Sequence, residues 1–160
     1  MDAADNKYEI RALDRAEWGP AIELAWNTFL EFEAPEYSKK GIQSFRDFIE
    51  DPRLKRLFLD GKYPAFGAFD NGKLVGMLGI RNENHVSLLF VQNKYHMHGI
   101  GRELLQYAFR QARVFGIDSF TVNAAPYATG FYHKMGFEDV SEEVVADGIR
   151  FTPMKITLLK

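Results

Sequence analysis

Apolar residues recur along the chain at two spacings, one typical of helices and one typical of strands. Trp18 and Phe29 belong to an apolar helical face that follows the capping-box pattern Asp14-Arg15-Ala16-Glu17, so a first helix is predicted there. A second apolar helical face follows Ser38, a favoured N-cap residue, and stops near Asp51-Pro52. These signals predict two consecutive helices in the first third of the chain.

Short runs rich in β-branched and aromatic residues predict the strands. The predicted strands are Tyr8–Arg11, Tyr63–Phe69, Lys73–Arg81, His85–Val91, Asp118–Asn123, Phe137–Glu143 and Arg150–Leu159. A long helix at Arg102–Phe115 and a short one at Ala128–Met135 separate the later strands, and a basic connection with Arg53, Lys55 and Arg56 follows the second helix. Short turns predict an antiparallel meander of the second, third and fourth strands, whereas the long helix makes the fourth and fifth strands parallel.

Composition narrows the class of protein. The 160 residues carry a formal net charge of −2 and no cysteine, so a single globular domain over residues 1–160 is expected, without disulfides or a cysteine nucleophile. The charge gives no broad attraction to nucleic acid or to anionic membranes. No apolar run is long enough to span a bilayer, and Met1–Lys7 is polar rather than a signal peptide, so a cytoplasmic protein is expected.

The strand His85–Val91 leads through a glycine loop into the amphipathic helix that starts at Arg102. Gly99 and Gly101 therefore lie at a helix N-terminus, where free N–H groups and the helix dipole favour an anion such as pyrophosphate. A dinucleotide-binding loop would need a third glycine where Leu104 stands, and a Walker loop would need Gly-Lys-Ser/Thr. The sequence has neither, so a phosphate-binding loop of another kind is predicted.

Two segments in this region resemble signatures of the GCN5-related N-acetyltransferases, the GNAT superfamily. The run His96-Met97-His98-Gly99-Ile100-Gly101 is similar to the acyl-CoA loop Gln/Arg-x-x-Gly-x-Gly/Ala, except that histidine occupies the first position. The segment Asn123–Glu138 contains Phe131-Tyr132-His133-Lys134-Met135-Gly136-Phe137, which resembles the second signature, Phe-Tyr-x-Lys-x-Gly-Phe after a strand. The segments Phe32–Tyr37 and Gly148–Met154 resemble those of stand-alone bacterial members of this family.

The resemblance implies an α/β (α+β) fold of GNAT type, which is a mixed, mostly antiparallel central sheet with helices on both faces. In this family the sheet splays between the fourth and fifth strands, here His85–Val91 and Asp118–Asn123. Splayed strands leave backbone N–H and C=O groups unpaired, and the pantetheine arm of acetyl-CoA can pair with them. Acetyl-CoA is therefore the expected cosubstrate, and direct transfer of its acetyl group to a primary amine in a ternary complex is the expected reaction.

The resemblance also implies roles for individual residues. The backbone of Phe90 and Val91 would pair with the pantetheine and polarise the thioester carbonyl, and Asn123 would hydrogen-bond a cofactor amide. Tyr132 would donate a proton to the departing thiolate. Each of these residues also has a purely structural interpretation, as part of a strand or as helix packing. Phosphate contacts are expected from His96, Met97, His98, Gly99, Ile100, Gly101 and Arg102.

The general base and the acceptor are the least determined parts of the predicted site. Glu83 and His85 stand at the start of the strand that lines the splay, so either could take a proton from an ammonium acceptor. Glu31, Glu33 and Glu36, between the first two helices, could form an acidic rim for a cationic amine, although a solvated charge cluster is the simpler interpretation. The acceptor is expected to be a small-molecule amine or a peptide amine.

Two other classes of function stay open from the sequence alone. A catalytically silent acyl-CoA-binding module would use the same cleft, and a protein-interaction domain could keep the fold without the ligand. The histidine at position 96 gives the second hypothesis its weight. No metal is expected, because cysteine is absent and His96 and His98 are distant in sequence from His85 and His133. Family members are often dimers, so a homodimer also stays open.

Overall fold

The computed structural model describes residues 8–158. Two predicted features, the polar segment Met1–Lys7 and the strand end at Leu159, lie outside the described residues. The strands are β1 (Glu9–Ala12), β2 (Ala65–Asp70), β3 (Lys73–Arg81), β4 (His85–Val91), β5 (Ser119–Ala124), β6 (Glu138–Asp139), β7 (Val144–Ala146) and β8 (Ile149–Thr157). The helices are α1 (Trp18–Phe32), α2 (Lys39–Glu50), α3 (Pro52–Leu59), α4 (Ile100–Val114) and α5 (Thr129–Met135).

The strands form one mixed sheet in the order β1-β2-β3-β4-β5-β8-β6, and β7 pairs with the outer part of β8. Among the described strands, β4 with β5 is the parallel pair, and the other pairings are antiparallel. The predicted mixed, mostly antiparallel sheet is therefore confirmed, as is the meander of β2, β3 and β4.

Helices cover both faces of the sheet, and the sheet separates the core into two clusters of buried residues. On one face, Leu104 and Phe109 of α4 pack with Leu78 of β3. On the other face, Phe29 of α1 packs with Phe90 of β4. The burial of one apolar face of each helix against the sheet is what positions α1 and α4 on opposite sides of β4.

The residues predicted to cap the helix starts make the expected hydrogen bonds. Asp14 accepts a hydrogen bond from Ala16 N–H at 3.0 Å, and the backbone N–H of Asp14 donates to Glu17 at 2.8 Å, which completes a capping box just before α1. Ser38 accepts from Gly41 N–H at 3.1 Å at the start of α2. Ser38 therefore caps α2 directly, whereas Asp14 caps the one-turn helix Arg15–Glu17 that leads into α1.

The predicted basic connection after α2 is wrong, because Pro52–Leu59 forms the helix α3. The side chain of Asp51 accepts from Arg53 N–H at 2.9 Å, and the proline occupies the first turn, where its missing N–H costs least. Leu54 is buried while the basic residues face solvent. An Asp-Pro pair that ended one helix was also the start signal of the next.

The predicted strand Phe137–Glu143 is also wrong, because the structure has the short strand β6 and then a bend over residues 140–142 before β7. β6 pairs with Met154 and Lys155 of β8, whereas β7 pairs with the segment that ends at Phe151. Between these two registers lies Pro153, which has no N–H to donate. The hydrogen-bond ladder of β8 with β6 and β7 is therefore interrupted at Pro153, which cannot donate to it.

The register of β3 on β4 shifts by one residue near the middle of the sheet. Gly79 lies opposite Leu88 and the next β3 residue opposite Val86, so Ser87 has no counterpart on β3. This bulge bends β4 at the point where it leaves β5. A side chain at Gly79 has no space, because a Cβ there would lie 2.6 Å from Cε1 of the buried Tyr63 ring.

We expect Gly79→Ala to destabilise the protein by about 3 kcal/mol, since overpacking of a rigid core costs on this scale. For a domain of this size, that free energy corresponds to a fall of roughly 6–12 °C in Tm. Gly19→Ala is the matched control, because Gly19 lies in α1 and a Cβ added there would meet nothing within 4 Å, so its Tm should stay or rise. Equal Tm values for the two variants in thermal unfolding would contradict this account of the bulge.

Candidate active site

A cleft opens between β4 and β5 soon after the two strands begin. They share only the register pairs His85 with Thr121 and Val86 with Val122. From Leu88 onward, β4 is paired with β3 but has separated from β5. The predicted splay between the fourth and fifth strands is therefore confirmed.

The backbone of β4 presents alternate residues to the cleft. Gln92 N–H donates to a carbonyl of β3 at 2.9 Å, and Phe90 lies opposite Met77 in the same register. Because successive backbone groups of a strand point to opposite sides, the N–H and C=O groups of Phe90 face β3, whereas those of Leu89 and Val91 face the cleft. The structure thus brings Val91 and Leu89 to the cleft, and turns the backbone of Phe90 away from it.

The glycine loop ends at the N-terminus of α4, beside the same cleft. Gly99 is the N-cap residue with φ +78, and no side chain caps this helix end. The N–H groups of Ile100, Gly101 and Arg102 are therefore the free donors of the first turn. A Cβ at Gly101 would approach Cζ of Phe131 to 3.1 Å, so glycine there lets α4 pack closely against α5. The arrangement is an anion-binding helix end.

The two histidines of the loop bind different parts of the fold. His96 Nε2 donates to the backbone oxygen of Val91 at 2.7 Å, which fixes the loop to the end of β4. His98 Nδ1 lies 2.6 Å from the hydroxyl oxygen of Tyr8. Between them, Met97 has φ +68 and a fully exposed side chain. The histidine that replaces the family's Gln or Arg therefore has a hydrogen-bonding role in holding the loop in place.

A cavity of about 470 Å³ joins the cleft to the loop. Its volume lies within the range of small-molecule sites. It is lined by Leu89 and Val91 of β4, by Tyr95, His96, Met97, Gly99, Ile100, Gly101 and Arg102 of the loop and α4, and by Tyr127, Ala128, Phe131 and Tyr132 of the α5 region. The structure thus brings most of the predicted cofactor-binding residues to one cavity.

Tyr132 lies at the inner side of this cavity and is only 5% exposed. Its ring packs edge-on against Phe131 and Phe137, with centroid distances of 5.1 and 5.3 Å. Burial raises the pKa of Tyr132, and the negative charge of Glu33 raises it further. The phenol therefore keeps its proton at neutral pH, which is the state a hydrogen-bond donor or general acid requires.

Five predicted residues do not line this cavity, namely Phe90 and His98, which are described above, and Asn123, Glu83 and His85. Asn123 lies opposite Pro153 of β8, with its side chain exposed. Glu83 is exposed in the β3–β4 turn with φ +71. His85 lies at the closed end of the cleft, where its Nδ1 is 2.7 Å from Oγ1 of Thr121, and burial lowers its pKa.

The end of α1 borders the cavity, which the sequence pattern did not predict. The Phe32 ring lies 4.8 Å from the His96 ring and 5.9 Å from the Tyr127 ring, measured between centroids. The Asn93 amide donates to Glu31 at 3.0 Å, which joins α1 to the segment after β4. An aromatic residue at the end of an apolar helical face was the available signal, but it does not tell which loop the ring will contact.

A mixed sheet that splays at its parallel pair, with a glycine-rich helix end beside the cleft, defines the acetyltransferase class of fold that the motifs indicate. The family model for the acetyltransferase (GNAT) domain matches residues 33–158. The chain therefore belongs to the GNAT acetyltransferase family.

Individual relatives agree with this assignment at the level of fold. A GCN5-related N-acetyltransferase structure from Rhodopseudomonas palustris superposes with a TM-score of 0.80 at 20% identity, covering 94% of this chain and 95% of that one. The PaiA N-acetyltransferase of Thermoplasma acidophilum, solved in complex with coenzyme A, gives a TM-score of 0.76 at 24% identity, covering 94% and 98%.

One curated relative also aligns in sequence. It is a protein of Bacillus subtilis (strain 168) that carries an acetyltransferase name, and it is 29% identical over 85 residues, which are 51% of this chain. The chain spans only 58% of the length of that relative.

Proposed function

We propose that this protein is an acetyl-CoA-dependent N-acetyltransferase that acts on a primary amine by direct transfer in a ternary complex. The observation that carries the proposal is the meeting of two binding elements at one cavity. Leu89 and Val91 present backbone to the cleft, and the uncapped start of α4 presents free N–H groups. An elongated molecule with amides at one end and phosphates at the other matches this pair of elements.

The pyrophosphate and the pantetheine of coenzyme A each have a matching group of residues along the cavity. The N–H groups of residues 100–102 and the Arg102 side chain would hold the pyrophosphate. The cleft edge of β4 would pair with the pantetheine amides, as an added strand pairs with a sheet edge. Absence of a Cβ at Gly99 and Gly101 lets a bulky anion approach the backbone closely.

Acetyl-CoA, when bound, supplies an activated acetyl group as a thioester. Backbone N–H groups on the cleft side of β4 would polarise the thioester carbonyl. Tyr132 would donate a hydrogen bond or its proton to the sulfur as the carbon–sulfur bond breaks. Apolar side chains such as Leu89, Val91 and Phe131 line the cavity, and a less polar environment strengthens both interactions.

The first test is a calorimetric titration of the protein with acetyl-CoA, with ATP and NAD as controls. We expect selective binding of acetyl-CoA, followed by release of CoA thiol when benzylamine, spermidine, an aminoglycoside or a short peptide with a free amino terminus is added. Binding without release by any of these amines would favour the silent acyl-CoA-binding module. Lack of acetyl-CoA binding would overturn the proposal.

A further inference from the structure

Glu33 occupies an unusual place for a carboxylate. It is the C-cap residue of α1 and begins the one-turn helix Ala34–Glu36, and its backbone N–H donates to Phe29 O at 2.9 Å. Its side chain is half-buried and accepts a hydrogen bond from the Tyr37 hydroxyl at 3.2 Å. Glu36, three residues later, is exposed. The acidic segment is therefore not a uniformly solvated cluster.

The neighbours of Glu33 place it next to the cavity. Phe32, the residue before it, contacts the rings of His96 and Tyr127, which both line the cavity. Burial raises the pKa of Tyr127 and of Tyr132, and the charge of Glu33 adds to each rise. Glu33 therefore directly follows a residue whose ring packs on two side chains of the cavity wall.

We infer that Glu33 is the general base of the proposed reaction, accepting a proton from the ammonium form of the amine acceptor. This inference rests on the proposed function, because it assigns a role at the same site. The carboxylate belongs to the residue that ends α1, directly after Phe32, whose ring contacts His96 of the loop and Tyr127 of the α5 region.

The electrostatic setting of Glu33 suits a base that works near neutral pH. Burial raises the pKa of Glu33 to about 7, the Tyr37 hydrogen bond opposes the rise, and the charge of Glu36 adds to it. The Tyr37 hydroxyl donates to this carboxylate, and burial raises the pKa of Tyr37, Tyr127 and Tyr132, with the charge of Glu33 adding to each rise. A carboxylate and a phenol with well-separated pKa values form a suitable base and acid.

The proposed proton movements balance. The ammonium gives one proton to Glu33, which releases it to solvent, and the freed lone pair of nitrogen forms the carbon–nitrogen bond as the carbon–sulfur bond breaks. Tyr132 gives its proton to the thiolate and regains one from the acylated nitrogen. The products are an amide, a thiol and one released proton, which is the stoichiometry of acetyl transfer to an ammonium.

The residues predicted as bases are less well placed for this role. Glu83 and His85 lie at the start of β4, where β4 and β5 still pair, and neither lines the cavity. His85 is also held by Thr121. Glu33 does not line the cavity itself, but the residue before it, Phe32, contacts His96 and Tyr127, which do.

The test is the pH profile of kcat/KM for Glu33→Gln, measured with the best amine of the panel above. In the wild-type protein kcat/KM should rise with pH and level off above about pH 7, because Glu33 is then ionised. In the variant it should be about 100-fold lower at pH 7, in line with the loss of a general base, and should keep rising as the free amine fraction grows. The calorimetric Kd for acetyl-CoA should not change.

Glu23→Gln is the matched control, since it removes the same charge from an exposed position of α1 and should keep the wild-type profile. A Glu33→Gln variant within a few fold of wild type, with the same pH profile, would overturn the inference and leave the proposed function intact. Loss of acetyl-CoA binding in the wild-type protein, or no turnover of any amine, would overturn both.

Thermal unfolding gives a readout that does not depend on turnover. The folded protein holds the Glu33 proton up to about pH 7, whereas the unfolded chain releases it near the ordinary value of 4.5. The folded state therefore binds more protons between these values, so this group lowers stability as pH rises through that window. The Tm of Glu33→Gln minus the Tm of the wild type should therefore increase between pH 4.5 and pH 7. A constant difference in Tm would contradict the burial on which the inference depends.

Discussion

Gly99→Asp is expected to abolish measurable binding of acetyl-CoA while the protein stays folded. The residue is the uncapped N-cap of α4, and nothing lies within 4 Å of an added Cβ, so the new carboxylate has space. It would stand where the pyrophosphate is proposed to bind, and would repel phosphate and compete for the free N–H groups. Loss of charge-assisted hydrogen bonds should cost about 3 kcal/mol or more, which is about 100-fold in Kd.

The control for this variant is Gly99→Ala. Gly99 has φ +78, so alanine there carries a similar left-handed strain of about 1–2 kcal/mol but no charge. We expect its Kd for acetyl-CoA to stay within a few fold of wild type. Gly101→Asp should also lose binding, but its Cβ would press on Phe131, so that variant mixes packing with charge. Native affinity in Gly99→Asp, measured by calorimetry, would refute the assignment of the loop.

The helical and extended patterns predicted most of the fold because they report local burial. β3 and β4 have the predicted bounds, since each is an apolar run that ends at polar turn residues, and such a run defines a strand locally. The pattern failed at α3, where the Asp51-Pro52 pair served two helices at once. It also failed at Pro153, where a missing donor on β8 interrupted the pairing of a different segment. Both failures came from signals that depend on a neighbouring element.

The candidate site could also be predicted only where the signal is local. The glycine loop and Tyr132 could be recognised because their residue types are needed by the local backbone and by the chemistry. The backbone of Leu89, rather than that of the predicted Phe90, faces the cleft. Which residues of β4 face the cleft depends on the register with β3, and that register cannot be deduced from the sequence of β4 alone. From the sequence, Glu33 was predicted only as part of an acidic rim, because the packing of the neighbouring Phe32 on His96 and Tyr127 is a long-range contact. Sequence pattern identifies a polar residue in a turn, but the tertiary contacts decide whether it is solvated.

The end of α1 links the two halves of the proposed site. Phe32 packs on His96, which in turn binds the last residue of β4, so the α1 terminus and the glycine loop hold each other in position. Binding of phosphates at the loop would therefore act on the segment that carries Glu33. The histidine that departs from the family pattern is the residue through which this contact runs, which argues against loss of the ligand site as its explanation.

Tyr132→Phe is expected to lower kcat by about 100-fold with little change in the Kd for acetyl-CoA, as removal of a general acid does. The ring contacts with Phe131 and Phe137 do not involve the hydroxyl, so the phenylalanine should pack as the tyrosine does. Because burial and Glu33 both raise the pKa of Tyr132, the wild-type profile should show no alkaline limb from this residue in the neutral range. Steady-state kinetics and calorimetry on the same preparation measure the two effects separately.

Tyr107→Phe is the matched control for this substitution. Tyr107 lies on α4, where its ring packs against Phe66 at a centroid distance of 5.2 Å, so loss of its hydroxyl should leave kcat unchanged. A Tyr132→Phe variant that lost turnover and cofactor affinity to the same extent would assign Tyr132 to binding rather than to proton donation. If the variant instead kept full turnover, the sulfur would leave without an acid, and only Glu33 of the proposed pair would take part in proton transfer.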